Sequence, residues 1–210
     1  MGGWDWRNWG MDHPSGMSTP TPPARPPRIY LTGMMGSGKS TVGPRLAERL
    51  GYDFADLDNA IMFGAGCSVS AIFEREGEAG FRRRERSALR RTARSGRVVV
   101  ATGGGTLADP QNLVWARAHG LVAYLRLRPE SLARRLRYSA AFRPLLCTPD
   151  GDPLRGVALV HRLAELLERR REAYEAADVV VDTDGLRPGA AARLLLATLR
   201  ADPRFAGPRG

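Results

Sequence analysis

The chain has 210 residues, of which 43% are hydrophobic and 26% are charged, the composition of an ordinary globular protein with one or two domains. No apolar run approaches the ~18 residues of a membrane-spanning helix, so no membrane partner is expected. The net charge of +10 comes from 31 arginines and a single lysine, Lys39. This charge raises the question of a nucleic-acid partner. The arginines are scattered along the chain, however, which favours a general replacement of lysine by arginine and no nucleic-acid partner.

Residues 1–27 differ from the rest of the chain. They contain Trp4, Trp6 and Trp9 and a proline-rich stretch from Pro20 to Pro27, without hydrophobic periodicity. This composition predicts a disordered N-terminal extension, with a tryptophan-rich docking segment as the alternative. Since no secretory pattern is seen and the two cysteines lack metal-type spacing, we expect free thiols in a cytoplasmic protein.

From residue 28 onward, short apolar runs alternate with segments of helical periodicity. Strands without alternating polarity predict a parallel sheet covered by helices on both faces, an α/β fold. Residues 138–155 are rich in proline and glycine and are predicted to form a loop. The predicted domain covers residues 28–202, and residues 203–210 are predicted to be a C-terminal tail. The predicted strands cover 28–32, 53–57, 97–102, 121–127 and 179–181, and the predicted helices cover 39–50, 68–75, 78–94, 110–119, 129–137, 156–176 and 188–200.

The first strand is followed by a glycine-rich sequence, GMMGSGKS at 33–40, which fits the phosphate-binding pattern G-x-x-x-x-G-K-[ST]. Its glycines let backbone N–H groups turn towards phosphate oxygens, and the following helix adds the partial positive charge of its N-terminus. Lys39 supplies a compact charge to the β- and γ-phosphates, where the planar fork of arginine is no substitute. Ser40 offers a hydroxyl to Mg²⁺.

Asp56 and Asp58 follow in the sequence FADLD. In an extended segment they lie on one side, about 7 Å apart, at the strand end where ligands bind in α/β sheets. One carboxylate is suited to bind Mg²⁺, and the other is suited to accept the proton of an attacking hydroxyl group. The alternative is that Asp58 only caps the helix that follows it.

Three arginine-containing segments are candidates for binding anions: Arg82 beside Phe81, Arg143 in the Pro/Gly-rich loop, and the run 169–171. Local reasoning does not choose among them. The GGG sequence at 103–105 ends a strand, where absent side chains permit close approach of a ligand to the backbone. A flexible turn is the alternative.

Taken together, these motifs resemble the shikimate kinase family. The resemblance covers about residues 28–200 and rests on GMMGSGKST, FADLD, GEAGFRRRE, ATGGGT, RPLL and R-x-x-x-Y ending at Tyr174. It implies a P-loop kinase fold with three layers, a five-stranded parallel sheet in the order 2-3-1-4-5, and a mobile lid at about 138–155. It further implies a monomer that uses MgATP to phosphorylate the 3-hydroxyl of shikimate, in the biosynthesis of chorismate and aromatic amino acids.

By position, the resemblance assigns catalysis to Lys39, Asp58 and Arg143, and the metal to Ser40 and Asp56. Glu85 would orient Arg82. The nucleotide would be bound by Gly36, Ser37, Gly38, Lys39, Ser40, Thr41 and Arg143, and shikimate by Asp58, Phe73, Phe81, Arg82, Gly103, Gly104, Gly105 and Arg170.

The chain departs from the family pattern at Met62, where an acidic residue is usual, and at Glu172, where proline is common. The lid upstream of Arg143 is also less polar than usual, although Arg135 and Arg137 are available for the adenine side. Two alternatives stay open: a kinase for another polyol such as gluconate, and a nucleotide-binding regulator without turnover. The GEAGFR and GGG sequences argue against the first, and the filled catalytic positions argue against the second.

Overall fold

The computed structural model describes residues 28–137 and 143–206. The predicted N-terminal extension, 1–27, lies outside the described residues, as do 138–142 and 207–210. Five parallel strands form one sheet in the order β2-β3-β1-β4-β5, which confirms the predicted class and strand order. The strands are β1 (Arg28–Thr32), β2 (Asp53–Asp56), β3 (Val98–Ala101), β4 (Leu121–Arg126) and β5 (Val179–Asp182).

Helices alternate with the strands and cover both faces of the sheet. The third helix is broken at Gly77, whose φ of 66° is left-handed, at the glycine that the sequence predicts to separate two helices. The helices are α1 (Lys39–Leu50), α2 (Leu57–Ala65), α3 (Val69–Arg91), α4 (Pro110–His119), α5 (Pro129–Leu136), α6 (Gly156–Glu175), α7 (Pro188–Ala201) and α8 (Pro203–Ala206).

The central strand β1 shows why the sheet is covered on both sides. Ile29 and Leu31 pack into one apolar cluster with residues of α1 and α7, whereas Tyr30 points to the opposite cluster, formed with α2, α3 and α4. Successive side chains of a strand alternate between faces, so an uninterrupted apolar run fills both layers. The three-layer arrangement places the carboxyl ends of β1, β2 and β3 at one edge.

The C-terminal segment extends the domain beyond the predicted boundary at 202. Residues 203–206 form α8, and Phe205 is 1% exposed within the core. The fully buried carboxylate of Asp178 accepts hydrogen bonds from Val122 N at 2.8 Å and Arg204 Nη1 at 2.9 Å. Because this carboxylate joins β4 to α8, residues 203–206 belong to the fold and are not a tail.

Part of the predicted lid, 138–142, lies outside the described residues. The part from 143 onward contains a 3₁₀ turn at Pro144–Leu146 and an antiparallel bridge between Cys147 and Pro153. Leu146 is buried against Leu159 and Leu163 of α6. The described half of the segment is therefore anchored to α6, and lid movement stays a prediction. Among the described residues, no helix is long and apolar enough to cross a membrane.

Candidate active site

The phosphate loop connects β1 to α1. Gly36 and Gly38 have φ values of 79° and 100°, which residues with a side chain rarely adopt. Gly38 immediately precedes α1 and no side chain caps this helix. The N–H groups at the start of α1 are therefore available to an anion, as the motif predicts.

The Lys39 side chain folds back over the loop. Its Nζ donates to the carbonyl oxygens of Gly33 at 2.8 Å and Met34 at 3.1 Å. Burial lowers its pKa to about 8, although the nearby carboxylates of Asp58 and Asp56 oppose that change. A phosphate at this position would replace two neutral carbonyls by a charged partner for the ammonium.

A cleft of about 590 Å³ continues from the loop towards the end of β5. Arg135 reaches the loop, and its Nη1 donates to Ser37 O at 3.1 Å. Arg135, which the sequence makes available for the adenine side, lines this cleft together with Arg187 and Pro188. Reasoning from the sequence did not identify Thr183, Leu186 and Ala191, although the rule that ligands bind at strand carboxyl ends points to them. The lining residues are Gly36, Ser37, Gly38, Lys39, Ser40, Thr41, Val42, Arg135, Thr183, Leu186, Arg187, Pro188 and Ala191.

Asp56 links the phosphate loop to α2. Its Oδ2 accepts the Ser40 hydroxyl at 2.6 Å, and its Oδ1 accepts the N–H groups of Asp58 and Asn59. Asp56 is therefore the N-cap of α2, and the alternative that Asp58 caps this helix is wrong. The predicted strand to 57 is also one residue too long, since Leu57 begins α2 and Asp58 lies in its first turn, not in an extended segment.

Asp58 faces Gly103 at the end of β3. A Cβ atom on Gly103 would lie 2.8 Å from Asp58 Oδ1, Glu85 Oε1 and Thr106 Oγ1, so no side chain fits. Burial, and secondarily the negative charge of Asp56, raises the pKa of Asp58 to about 6. A carboxyl with this pKa is mostly ionised at neutral pH and accepts a proton more readily than an ordinary aspartate.

Glu85 organises the next part of the site from α3. It is 1% exposed, accepts the Thr106 hydroxyl at 2.7 Å, and accepts Arg82 Nη1 at 2.5 Å. Arg82 also pairs with Glu78 at 3.1 Å. Its Nη1 lies 2.8 Å from where a Cβ of Gly105 would be, so the guanidinium is held against the glycine backbone.

Arg170 approaches the same glycines from α6. Its Nη1 donates to Gly104 O at 3.0 Å, and the Tyr174 hydroxyl donates to the same oxygen at 2.5 Å. None of the three glycines has a left-handed φ. Close approach of side chains, not an unusual backbone conformation, therefore explains Gly103 and Gly105, whereas a Cβ atom on Gly104 would lie no closer than 3.4 Å to its neighbours. Reasoning from the residues left the arginines unresolved, and only the fold brings Arg82 and Arg170 to one loop.

Two aromatic rings provide an apolar wall beside Arg82. Phe73 and Phe81 stack with ring centroids 4.7 Å apart, and the Arg82 guanidinium lies 5.8 Å from the centroid of Phe81. Arg143 is placed at the start of the Pro144–Leu146 turn with its side chain half-buried. Its action as a lid arginine stays a prediction.

Comparison with known proteins agrees with this geometry. A family model described as shikimate kinase matches residues 35–200. The shikimate kinase of Salinibacter ruber is 48% identical over 159 residues, which are 76% of this chain and 78% of that protein. That of Chlorobaculum tepidum is 44% identical, covering 77% and 84%.

A solved structure of shikimate kinase from Acinetobacter baumannii in complex with shikimate superimposes with a TM-score of 0.74. It is 35% identical and covers 83% of this chain and 93% of its own. Sequence and structure thus agree over the region that carries the phosphate loop and the loop of Gly103, Gly104 and Gly105, here called the glycine loop. The chain belongs to the shikimate kinase family.

Proposed function

We propose that this protein transfers the γ-phosphoryl group of ATP to the 3-hydroxyl of shikimate, giving shikimate 3-phosphate and ADP. The observation that carries the proposal is the meeting of Asp58, Arg82 and Arg170 at the Gly103–Gly105 loop, at the same sheet edge as the phosphate loop. A proton acceptor and two guanidinium groups suit a substrate with hydroxyls and one carboxylate. Family membership supports shikimate over gluconate and over a regulator without turnover.

In the proposed reaction, Asp58 accepts the proton of the attacking hydroxyl. The hydroxyl oxygen forms a bond to the γ-phosphorus while the bond from this phosphorus to the bridging oxygen of ADP breaks. Arg82 and Arg170 hold the carboxylate, Glu85 fixes Arg82, and the backbone at Gly103–Gly105 meets the ring hydroxyls. Phe73 and Phe81 form the wall beside the ring. These groups supply mainly positioning, which is a large part of phosphoryl-transfer catalysis.

On the nucleotide side, Lys39 neutralises charge on the β- and γ-phosphates, and the N–H groups at residues 36–41 bind their oxygens. Arg143 is proposed to add positive charge from the lid. Ser40 and Asp56 present two oxygens 2.6 Å apart, the donor type that Mg²⁺ prefers, so they fit the cation of MgATP. When bound, Mg²⁺ neutralises phosphate charge and orients the nucleotide.

The partners of the chain are therefore two small molecules, shikimate and ATP. We propose action as a monomer without nucleic acid. Cys67 and Cys147 are both free thiols, which is consistent with the proposed cytoplasmic compartment.

The proposal is tested by a coupled ADP-release assay with the full chain, ATP, Mg²⁺ and either shikimate or gluconate. We expect turnover with shikimate and none above background with gluconate. A folded protein without turnover on shikimate would overturn the proposed function, and turnover on gluconate alone would favour the polyol alternative.

Changing Arg82 to alanine is expected to weaken shikimate binding by about tenfold or more, because a charged hydrogen-bonding partner of the carboxylate is lost. ATP affinity should stay within about twofold, since Arg82 lies at the glycine loop and not at the phosphate loop. Both affinities are measured by calorimetry. Arg84→Ala is the matched control, because Arg84 pairs with Glu76 on the same helix at 2.7 Å. Equal loss of both affinities in Arg82→Ala would instead show a structural role.

A further inference from the structure

A second cleft lies along the C-terminal half of α3 and the turn after it. It shares no lining residue with the cleft at the phosphate loop. Its volume is about 550 Å³, and its lining is almost purely arginine. We call it the arginine cleft, and its lining residues are Arg83, Arg86, Ser87, Arg90, Arg91 and Arg94.

The arginine cleft concentrates like charges that repel one another. Arg86 and Arg90 lie four residues apart on α3, where like charges on one face destabilise a helix, and Arg94 follows in the 3₁₀ turn at Thr92–Arg94. The chain from residue 86 to residue 108 contains no aspartate or glutamate. Positive charges in the last turn of a helix are favourable, which accounts for Arg90 and Arg91 but not for Arg83 and Arg86.

Few of these charges are neutralised within the protein. In the part of the chain that the structure describes, the one ion pair of the cleft joins Arg86 to Asp109 at 3.3 Å, and Asp109 also caps α4. Arg86 Nε is buried without a hydrogen-bond partner there. Elsewhere on α3, Arg82 and Arg84 both pair with glutamates. The cleft therefore keeps an excess of positive charge, which favours an anionic ligand.

The lining also restricts the chemistry of the ligand. It contains no aromatic or aliphatic side chain, so a nucleobase finds no apolar wall there, and guanidinium groups are the only surface of the lining on which it could stack. Guanidinium forks match phosphate oxygens in pairs. Residues 83–91 span about 12 Å of α3 and Arg94 extends the lining into the turn after it, enough to contact several phosphates of one compact chain from a concave surface.

We propose that the arginine cleft is a binding site for a linear oligophosphate, separate from the nucleotide site. The shared chemistry is a chain of three or more phosphates, whose source is either inorganic or the tail of a nucleoside polyphosphate. The cleft shares α3 with Arg82 and Glu85, but it lies outside the catalytic site. Kinase activity therefore does not depend on its arginines.

The test compares three forms of the full chain by calorimetry, with MgADP saturating the phosphate loop in each. These are the wild type, a cleft variant with Arg83→Gln, Arg90→Gln and Arg94→Gln, and a control with Arg49→Gln, Arg193→Gln and Arg200→Gln. Glutamine keeps helix propensity, and both variants lose the same charge. Shikimate-dependent turnover in both variants verifies that they are folded.

Inorganic tripolyphosphate is the probe. We expect it to bind the wild type and the control alike and the cleft variant at least about tenfold more weakly, with affinity falling as KCl rises from about 50 to 200 mM. The proposal fails if the wild type does not bind, if the cleft variant keeps its affinity, or if the control loses as much. A parallel titration with ATP distinguishes the two sources, counting only the binding that the cleft variant loses, because ATP also exchanges with MgADP at the phosphate loop. Cleft-dependent binding at least as tight as that of tripolyphosphate indicates a nucleoside polyphosphate, and weaker cleft-dependent binding indicates the inorganic chain. Cleft-dependent binding of a 20-base-pair DNA duplex that is tighter than that of tripolyphosphate would overturn the oligophosphate assignment.

Discussion

Asp58→Asn is expected to lower kcat by a factor of about 10² to 10⁴, the usual contribution of a positioned general base. Asparagine has nearly the same shape but cannot accept the hydroxyl proton. The packing around Gly103, to which Asp58 Oδ1 lies close, should tolerate asparagine because the two side chains have nearly the same volume. Nucleotide binding should persist, since the phosphate loop is untouched.

This result is measured as single-turnover phosphate transfer together with ATP affinity. Asp53→Asn at the start of β2 is the matched control, because Asp53 is exposed and lies at the opposite end of the strand from the site. Turnover close to that of the wild type in Asp58→Asn would remove Asp58 from the mechanism.

Asp58 also determines the acid limb that we expect in the pH profile of kcat/KM. The pKa of Asp58 is raised to about 6, so its base form is lost as pH falls below this value. The pKa of Lys39 is lowered to about 8, so its charged form is lost as pH rises above that value. We expect kcat/KM to be bell-shaped between these limits, because kcat/KM reports groups of the free enzyme. Residual activity of Asp58→Asn should lack the acid limb.

Lys39→Met is the second change with a large expected effect. It removes the ammonium directed at the β- and γ-phosphates while keeping a side chain of similar length. By analogy with other preorganised charges at a transition state, kcat/KM for ATP should fall by about 10² to 10³ or more. Steady-state kinetics and nucleotide calorimetry measure this loss.

Lys39→Arg separates charge from shape. The Lys39 Nζ is enclosed by the carbonyls of Gly33 and Met34, and the planar guanidinium does not fit this compact space. We therefore expect arginine to recover little activity. Full recovery by Lys39→Arg would show that positive charge alone is needed, and wild-type kinetics in Lys39→Met would show that the loop does not bind the transferred phosphate.

The sequence was sufficient where one local pattern determines the structure. The phosphate loop needs glycine at Gly36 and Gly38, and uninterrupted apolar runs such as β1 and β3 specify buried parallel strands. The break of α3 at Gly77 was equally local. Where two local preferences competed, prediction was less accurate. Both aspartates of the FADLD sequence are good N-caps, and the choice of Asp56 depends on where β2 ends and on its bond to Ser40.

Contacts between distant segments were beyond reasoning from the residues alone. The carbonyl oxygen of Gly104 accepts hydrogen bonds from Arg170 and Tyr174, which are 66 and 70 residues away in the chain. Nothing local in α6 distinguishes Arg170 from its neighbours. The position of α8 likewise involves a distant contact, between Arg204 and the carboxylate of Asp178. The family resemblance supplied the Arg170 role, and the fold supplies its physical basis.

The enclosure of Lys39 has a practical consequence for chemical labelling. It is the sole lysine of the chain and is 8% exposed. Amine-directed reagents thus meet one side-chain target, which is sheltered by its own loop in the folded protein. Its rate of acylation, read by mass spectrometry on the peptide that contains Lys39, therefore reports opening of the phosphate loop without introducing any reporter group.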